Sequence, residues 1–130
     1  MILLDSHIAL WLALEPHKIS PGAAAAIDAA RRDGSGMAVC DITFAELATS
    51  YSKGRFTLTV PLDIFLEETE SRFTVLPMTA RICARIAFFP ASFPRDPADR
   101  IITATALVHG LPLLTADRAI RRAKVVRTIW

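Results

Sequence analysis

Met1-Ile2-Leu3-Leu4-Asp5, running on into Ser6-His7-Ile8-Ala9-Leu10-Trp11-Leu12-Ala13-Leu14, joins an unbroken apolar run to a stretch with a helical stripe. Ile2 to Leu4 is apolar at consecutive positions, which is how a strand covered on both faces reads. Alternate side chains point to opposite sides, and neither side meets water. Ile8, Trp11 and Leu12 then recur at spacings of three and four, one face of a helix. A doubly buried strand followed at once by a helix is the opening of a parallel α/β fold.

The alternation continues along the chain. Ser20-Pro21 places an N-cap and an N1 proline before an alanine-rich helix to Arg32, which Asp33-Gly34-Ser35-Gly36 ends. Met37 to Cys40 is a second strand, and Phe44, Leu47, Ala48 and Tyr51 mark the apolar face of the next helix. Glu46 lies about 200° round from Phe44 and so is not a core residue. Pro61 opens a helix with Leu62, Phe65 and Leu66 on one side, Phe73 to Leu76 is a third strand, and Thr79 to Phe88 is a helix carrying Ile82, Cys83 and Ile86. Pro90, Pro94 and Pro97 punctuate one irregular segment. Beyond it the pattern predicts a helix from Pro97 to His109 with Gly110 as C-cap, a strand at Leu113-Leu114, a short helix from Asp117 to Arg122 and a last strand at Val125-Val126. The expectation is one α/β domain over residues 1–130 with a mostly parallel sheet.

Composition bounds the function. Hydrophobic residues make up 52% of the 130, which excludes a disordered chain. The net charge of +2 conceals an asymmetry: residues 1–70 hold ten acids and five bases, a balance of −5, whereas residues 71–130 hold three acids and ten bases, a balance of +7. An acidic pocket approached through a basic rim, with a polyanion as partner, is the implied arrangement. Cys40 and Cys83 are too few for a disulfide scaffold and have no zinc-like spacing with histidine, so they read as reduced, buried thiols of a cytoplasmic protein. No stretch reads as a signal peptide or a membrane span, because Asp5 interrupts the apolar start and His109, Gly110 and Pro112 interrupt the long uncharged run.

The carboxylates carry the chemistry. Asp5 follows the first strand, Asp117 follows Leu113-Leu114, Glu46 follows Met37 to Cys40, and Asp99 begins an apolar helix. The carboxyl ends of parallel strands share one rim, so these acids converge in space, and a cluster of oxygen donors points to a magnesium or manganese ion. Each acid also has a structural explanation. Thr43-Phe44-Ala45-Glu46 fits a capping box, Asp96-Pro97-Ala98-Asp99 fits a helix start capped by Asp96, and Asp117 fits the cap of the helix that follows. Asp5 fits none of these, since an acid beside a buried strand needs a cation or donors. Capping alone does not require all of them to gather at one rim.

Asp5-Ser6-His7 with Leu10-Trp11-Leu12, then Glu46 in a helix, then Arg95-Asp96-Pro97-Ala98-Asp99-Arg100, then Leu113-Leu114-Thr115-Ala116-Asp117 resembles the PIN domain family, specifically the VapC-type toxins of bacterial toxin–antitoxin pairs. The resemblance implies a PIN-like fold with a parallel sheet sandwiched by helices, and magnesium- or manganese-dependent hydrolysis of RNA. It implies Asp5, Glu46, Asp99 and Asp117 as metal-binding and catalytic acids, with Asp96 a nearby extra acid, a homodimer, and a cognate antitoxin as partner; Thr115, between the Leu113-Leu114 strand and Asp117, is expected to orient water or substrate from behind the ligands. Ser6 stands where threonine is common, and Thr43-Phe44-Ala45 where many relatives have serine and tryptophan. Arg95, Arg100, Arg118, Arg121 and Arg122, with Lys124, are candidates to hold the RNA backbone, and Leu62, Phe65, Phe88 and Phe89 are candidates for protein contacts. A haloacid-dehalogenase-like phosphatase would want an aspartate at position 7, where His7 stands, and a phospho-receiver would want adjacent early acids and a late lysine. A PIN-fold interaction module without useful catalysis is the remaining alternative.

Overall fold

The computed structural model describes residues 1–130. Its centre is a five-stranded sheet of β1 (Ile2–Leu4), β2 (Met37–Cys40), β3 (Thr74–Leu76), β4 (Leu113–Leu114) and β5 (Thr128–Ile129), in the order β3-β2-β1-β4-β5 with every pair parallel. The helices are α1 (Ser6–Leu14), α2 (Pro21–Arg32), α3 (Ile42–Ser52), α4 (Leu62–Arg72), α5 (Ala80–Ile86), α6 (Pro97–His109) and α7 (Arg118–Ala123), with a 3-10 turn at Pro16–Lys18.

The pleat explains the layers. Ile2 and Leu4 face one side of β1 and pack with Ile8 and Ala9 of α1, Ala23, Ile27 and Ala30 of α2, Val39 and Leu114. Leu3 faces the other side and packs with Ala38, Cys40, Phe93, Leu113, Ile102 and Ala106 of α6 and Ile120 of α7. Consecutive residues of β1 therefore serve two separate cores, which is why the sequence shows no polar alternation there. After β1 the chain builds outward to β2 and β3, and later crosses back to add β4 and β5 on the other side. The strand order reverses between β1 and β4, and such a switch point opens a crevice at the carboxyl ends of the strands.

Several expectations are revised. The last strand is Thr128–Ile129, bonded through Leu113 N–H to Arg127 O and Thr115 N–H to Ile129 O, whereas Val125 and Val126 pack against the core from the turn after α7. Thr43 is not an N-cap: α3 starts earlier, after Asp41, and Thr43 is buried inside it. Cys40 is buried but Cys83 is exposed, because Ile82 takes the inward position on α5. Phe65 is in the core and Phe89 stacks near Phe93 with ring centroids 4.8 Å apart, while Phe88 alone of that set projects outward, 78% exposed. No helix is long and apolar enough to cross a membrane.

Gly110 ends α6 as expected, with φ +64° in the left-handed region and nothing within 4 Å of where a Cβ would stand. The cost of a side chain there is conformational rather than steric. Gly110→Ala should lower stability by about 1 kcal/mol in denaturant titration and Gly110→Asn by less, since asparagine tolerates this conformation.

Candidate active site at the carboxyl rim of the sheet

Asp5 leaves β1 with only 4% of its surface accessible and serves as N-cap of α1. Its Oδ1 accepts from Ser6 N–H at 2.8 Å and its Oδ2 accepts from the Thr115 hydroxyl at 2.7 Å. These donors are what the burial of a carboxylate requires. Thr115, buried beyond β4, accepts in turn from Asp117 N–H at 3.1 Å. Its one proton is thus committed to Asp5, and the Thr115 hydroxyl couples the ends of β1 and β4.

Asp117 caps α7, its Oδ1 accepting from Ala119 N–H at 2.8 Å and Ile120 N–H at 3.0 Å. Glu46 reaches the rim from α3, where its Oε1 accepts from the Ser6 hydroxyl at 2.6 Å, and Ser6 Oγ lies 3.0 Å from Thr43 Oγ1. The capping box expected of Thr43 and Glu46 is absent: Thr43 is the second residue of the helix, and together with Ser6 it supports Glu46 instead. Asp99 stands in the first turn of α6 and its carboxylate accepts no hydrogen bond.

Asp5, Glu46, Asp99 and Asp117 line one cavity of about 150 Å³ together with Ser6, His7, Leu10, Leu47 and Ser50. Four helices and two strand ends bring them there from positions 112 residues apart in sequence. No three of the chain's histidine, cysteine and acidic side chains close into a preformed metal cage. Asp96 does not line the cavity; it is exposed and caps α6 through Ala98 N–H at 2.8 Å and Asp99 N–H at 3.2 Å.

The electrostatics record crowding. Burial, then the charges of Asp5, Asp96, Asp117 and Glu46, push the Asp99 carboxyl up from its ordinary 3.8 to about 7. Burial chiefly, with Asp5 and Asp96 adding, raises Glu46 as well, against the opposing hydrogen bond from Ser6. The Cys40 thiol is pushed up to about 12, mainly by burial, and is no nucleophile.

Ser6, His7 and Ser50 lie at the site without having been predicted as ligands. His7 Nε2 accepts from Ala116 N–H at 3.0 Å, which places the ring proton on Nδ1, 3.6 Å from Asp5 Oδ2, and its ring meets Trp11 edge-on with centroids 4.9 Å apart. It braces the loop after β4 rather than offering a free base. Ser50 follows Glu46 by four residues, so the helical repeat alone could have placed both on one face. Asp41, also just beyond a strand, stays out of the cavity because its Oδ2 accepts from Met78 N–H at 3.0 Å.

The basic residues divide. Arg100 is tied to the loop before α6, donating from Nε to Pro94 O at 2.8 Å and from an Nη to Phe93 O at 3.4 Å. Arg95 lines a separate apolar concavity with Met78, Cys83 and Ile86. Arg118, Arg121 and Arg122 gather with Lys124 on and just beyond α7.

The PIN domain family model matches residues 2–126. The chain belongs to the PIN domain family. It is 37% identical over 131 residues to Ribonuclease VapC22 of Mycobacterium tuberculosis (strain ATCC 25618 / H37Rv), a match covering 99% of this chain and 98% of that protein. Its fold matches DNA-bound VapBC from Salmonella typhimurium with a TM-score of 0.72 at 20% identity, covering 98% of this chain and 97% of the other. A toxin–antitoxin complex from Klebsiella pneumoniae matches with a TM-score of 0.58 at 21% identity, covering 90% and 87%. The all-parallel sheet between helices is the PIN fold, as the sequence resemblance implies.

The raised Asp99 carboxyl fixes a pH dependence for the metal-free protein. Because its folded value of about 7 lies above its ordinary 3.8, the stability it contributes is fully present below about pH 4 and lost as pH rises through about 7. Melting temperatures of metal-free protein across that window should therefore carry a downward slope with rising pH that Asp99→Asn makes shallower, the raised Glu46 supplying a remainder of the same sign. An unchanged slope in the variant would place the proton elsewhere.

Proposed function

We propose that this chain is a magnesium- or manganese-dependent ribonuclease that hydrolyses RNA phosphodiester bonds, acting as the toxin of a toxin–antitoxin pair. The observation that carries the reading is the convergence of Asp5, Glu46, Asp99 and Asp117 on one cavity at the switch point of the sheet. The full-length similarity to Ribonuclease VapC22 supports the reaction. The shared fold with a toxin–antitoxin complex supports a cognate antitoxin as partner, and the outward-facing Phe88 is available to protein contacts of an antitoxin or of a homodimer.

The donor set fits the cation. Four carboxylates in a common cavity, one of them without a hydrogen-bond donor and raised to about 7, are oxygen ligands whose mutual repulsion a divalent ion would relieve. A divalent cation bound among them would supply charge to the phosphoryl oxygens and acidity to water. The chain's own residues set the geometry. Ser6 N–H and the Thr115 hydroxyl hold Asp5 in one orientation, and the Ser6 hydroxyl fixes Glu46 against rotation. Asp117 keeps one oxygen on the amides of α7, which restrains its other oxygen. Asp99 is the freest of the four and, near neutral pH, the one whose charge state responds to its surroundings.

Asp5→Asn and Asp99→Asn should each reduce metal-dependent cleavage of RNA by about 100-fold or more while retaining the folded circular-dichroism spectrum. Magnesium or manganese at about a hundred times its dissociation constant should stabilise the wild-type protein by about 2.7 kcal/mol and the variants by less. Full cleavage rates in both variants, or no metal-induced shift in a chain shown to be metal-free, would overturn the reading.

A further inference from the structure

Beyond the acid cavity, the molecule carries a concavity of about 380 Å³ lined by Arg118, Arg121, Arg122 and Lys124 and by no hydrophobic residue. We propose that this surface is a binding site for the phosphate backbone of single-stranded RNA, leading the strand along α7 to the acids; the inference rests on the ribonuclease reading.

Arg118, Arg121 and Arg122 are spaced by three and four and so share one face of α7, while Ile120 on the opposite side is buried in the core and anchors the helix. All four cations are exposed. None is neutralised by the chain itself: its three ion pairs, His7–Asp5, Lys18–Glu15 and Arg31–Asp28, lie elsewhere. Lys124 follows the helix with φ +52°, a left-handed turn that folds the chain back at the end of the basic face. Four like charges held side by side without a counter-charge repel one another, and an anion with several negative groups along its length relieves all of them at once.

The neighbourhood decides the kind of anion. Asp117, the cap of α7, lines the acid cavity, and Arg118 is the next residue, so the two surfaces meet at one peptide bond. A helix of six residues is about 9 Å long, roughly two nucleotides of a strand. A docking surface for a protein segment would have an apolar centre within a polar rim. This concavity has none, and recognition without an apolar centre is how a phosphodiester backbone is held. Arg100, tied to backbone carbonyls, and Arg95, over an apolar concavity, are not part of it.

The test is binding of a labelled single-stranded RNA oligonucleotide of mixed sequence to the full chain carrying Asp99→Asn, measured as a function of salt. Adding Arg121→Ala and Arg122→Ala should reduce the slope of log affinity against log salt by about 1.4, hence the affinity by about 25-fold at about 0.1 M salt, with the curves converging near about 1 M. Replacing both with lysine should retain most of the slope, because the contact is one of charge. Metal-induced stabilisation should be the same in the alanine variant as in its parent. An unchanged slope in the alanine variant, with RNA still bound, overturns the site and leaves the ribonuclease reading standing. Absence of RNA binding by the parent, together with absence of cleavage by wild type, overturns the ribonuclease reading itself. Binding of a polyglutamate peptide that depends on Arg121 and Arg122 while RNA binding does not would assign the surface to an acidic protein segment and overturn the proposal.

Discussion

A buried carboxylate at the end of the central strand needs donors, and Asp5 finds them at opposite ends of the chain. One is Ser6 N–H, the first amide of the helix it caps; the other is the hydroxyl of Thr115, 110 residues later in sequence. The second bond exists only if β4 lies beside β1 in the register Leu3 to Leu113 and Leu4 to Leu114. Folding and site construction are therefore coupled: the pairing that closes the sheet is the pairing that makes the acid tolerable. Thr115 then passes the constraint to Asp117 through its amide, so two of the four acids are referenced to one hydroxyl.

The structural and functional readings of these acids do not compete. Asp5, Asp96 and Asp117 each cap a helix, and each cap places a carboxylate against the positive end of a helix dipole. That partial charge offsets some of the repulsion that gathering acids creates. A carboxylate has two oxygens, and at Asp117 a single one, Oδ1, accepts both amides. Capping thus fixes the acid's orientation without occupying all of it. Asp99 lacks such a donor, and it is the acid whose carboxyl shifts furthest, to about 7. The division is physical: three acids are anchored by helix amides, while Glu46, held by a single hydroxyl, and Asp99, held by none, are the two whose carboxyls burial and crowding push up.

The sequence disclosed what is local and apolar. The strands at Ile2–Leu4, Met37–Cys40 and Leu113–Leu114, the N-caps Ser20, Asp96 and Asp117 and the C-cap Gly110 were legible because each follows from residue type over a few positions. The last strand was not. Val125-Val126 and Ile129-Trp130 are equally apolar, and the choice falls to which backbone reaches Leu113 and Leu114, a property of the turn at Lys124. Thr43 misled for a related reason: the capping-box pattern is satisfied in letters, yet the helix already begins after Asp41, and the threonine hydroxyl turns to Ser6 across the gap between α3 and α1. Asp41 shows the opposite limit, since its place beyond a strand is the same as that of Asp5 while its carboxylate is drawn away to Met78 N–H. The position of an acid at the rim is readable; the donor it chooses depends on neighbours the sequence does not order in space.

Acidic and basic surfaces meeting at α7 explain how opposite charges can coexist without collapsing onto each other. Residues 71–130 carry an excess of seven positive charges, yet no arginine of α7 pairs with an acid of the cavity. The helix geometry keeps them apart: Asp117 turns its Oδ1 inward to the amides at the N-terminus, whereas Arg121 and Arg122 lie in the last turn, where cations complement the negative end of the dipole. A neutralised pair would bind neither a cation nor a phosphate. Separated by one short helix, the acids remain available to a divalent ion and the bases to a polyanion, and the field between them favours a substrate whose own charge is negative along its length and whose reacting group must enter an acidic pocket. The +7 and −5 halves of the sequence are in this sense one device, and α7 is the piece of secondary structure that holds its two ends at a working distance.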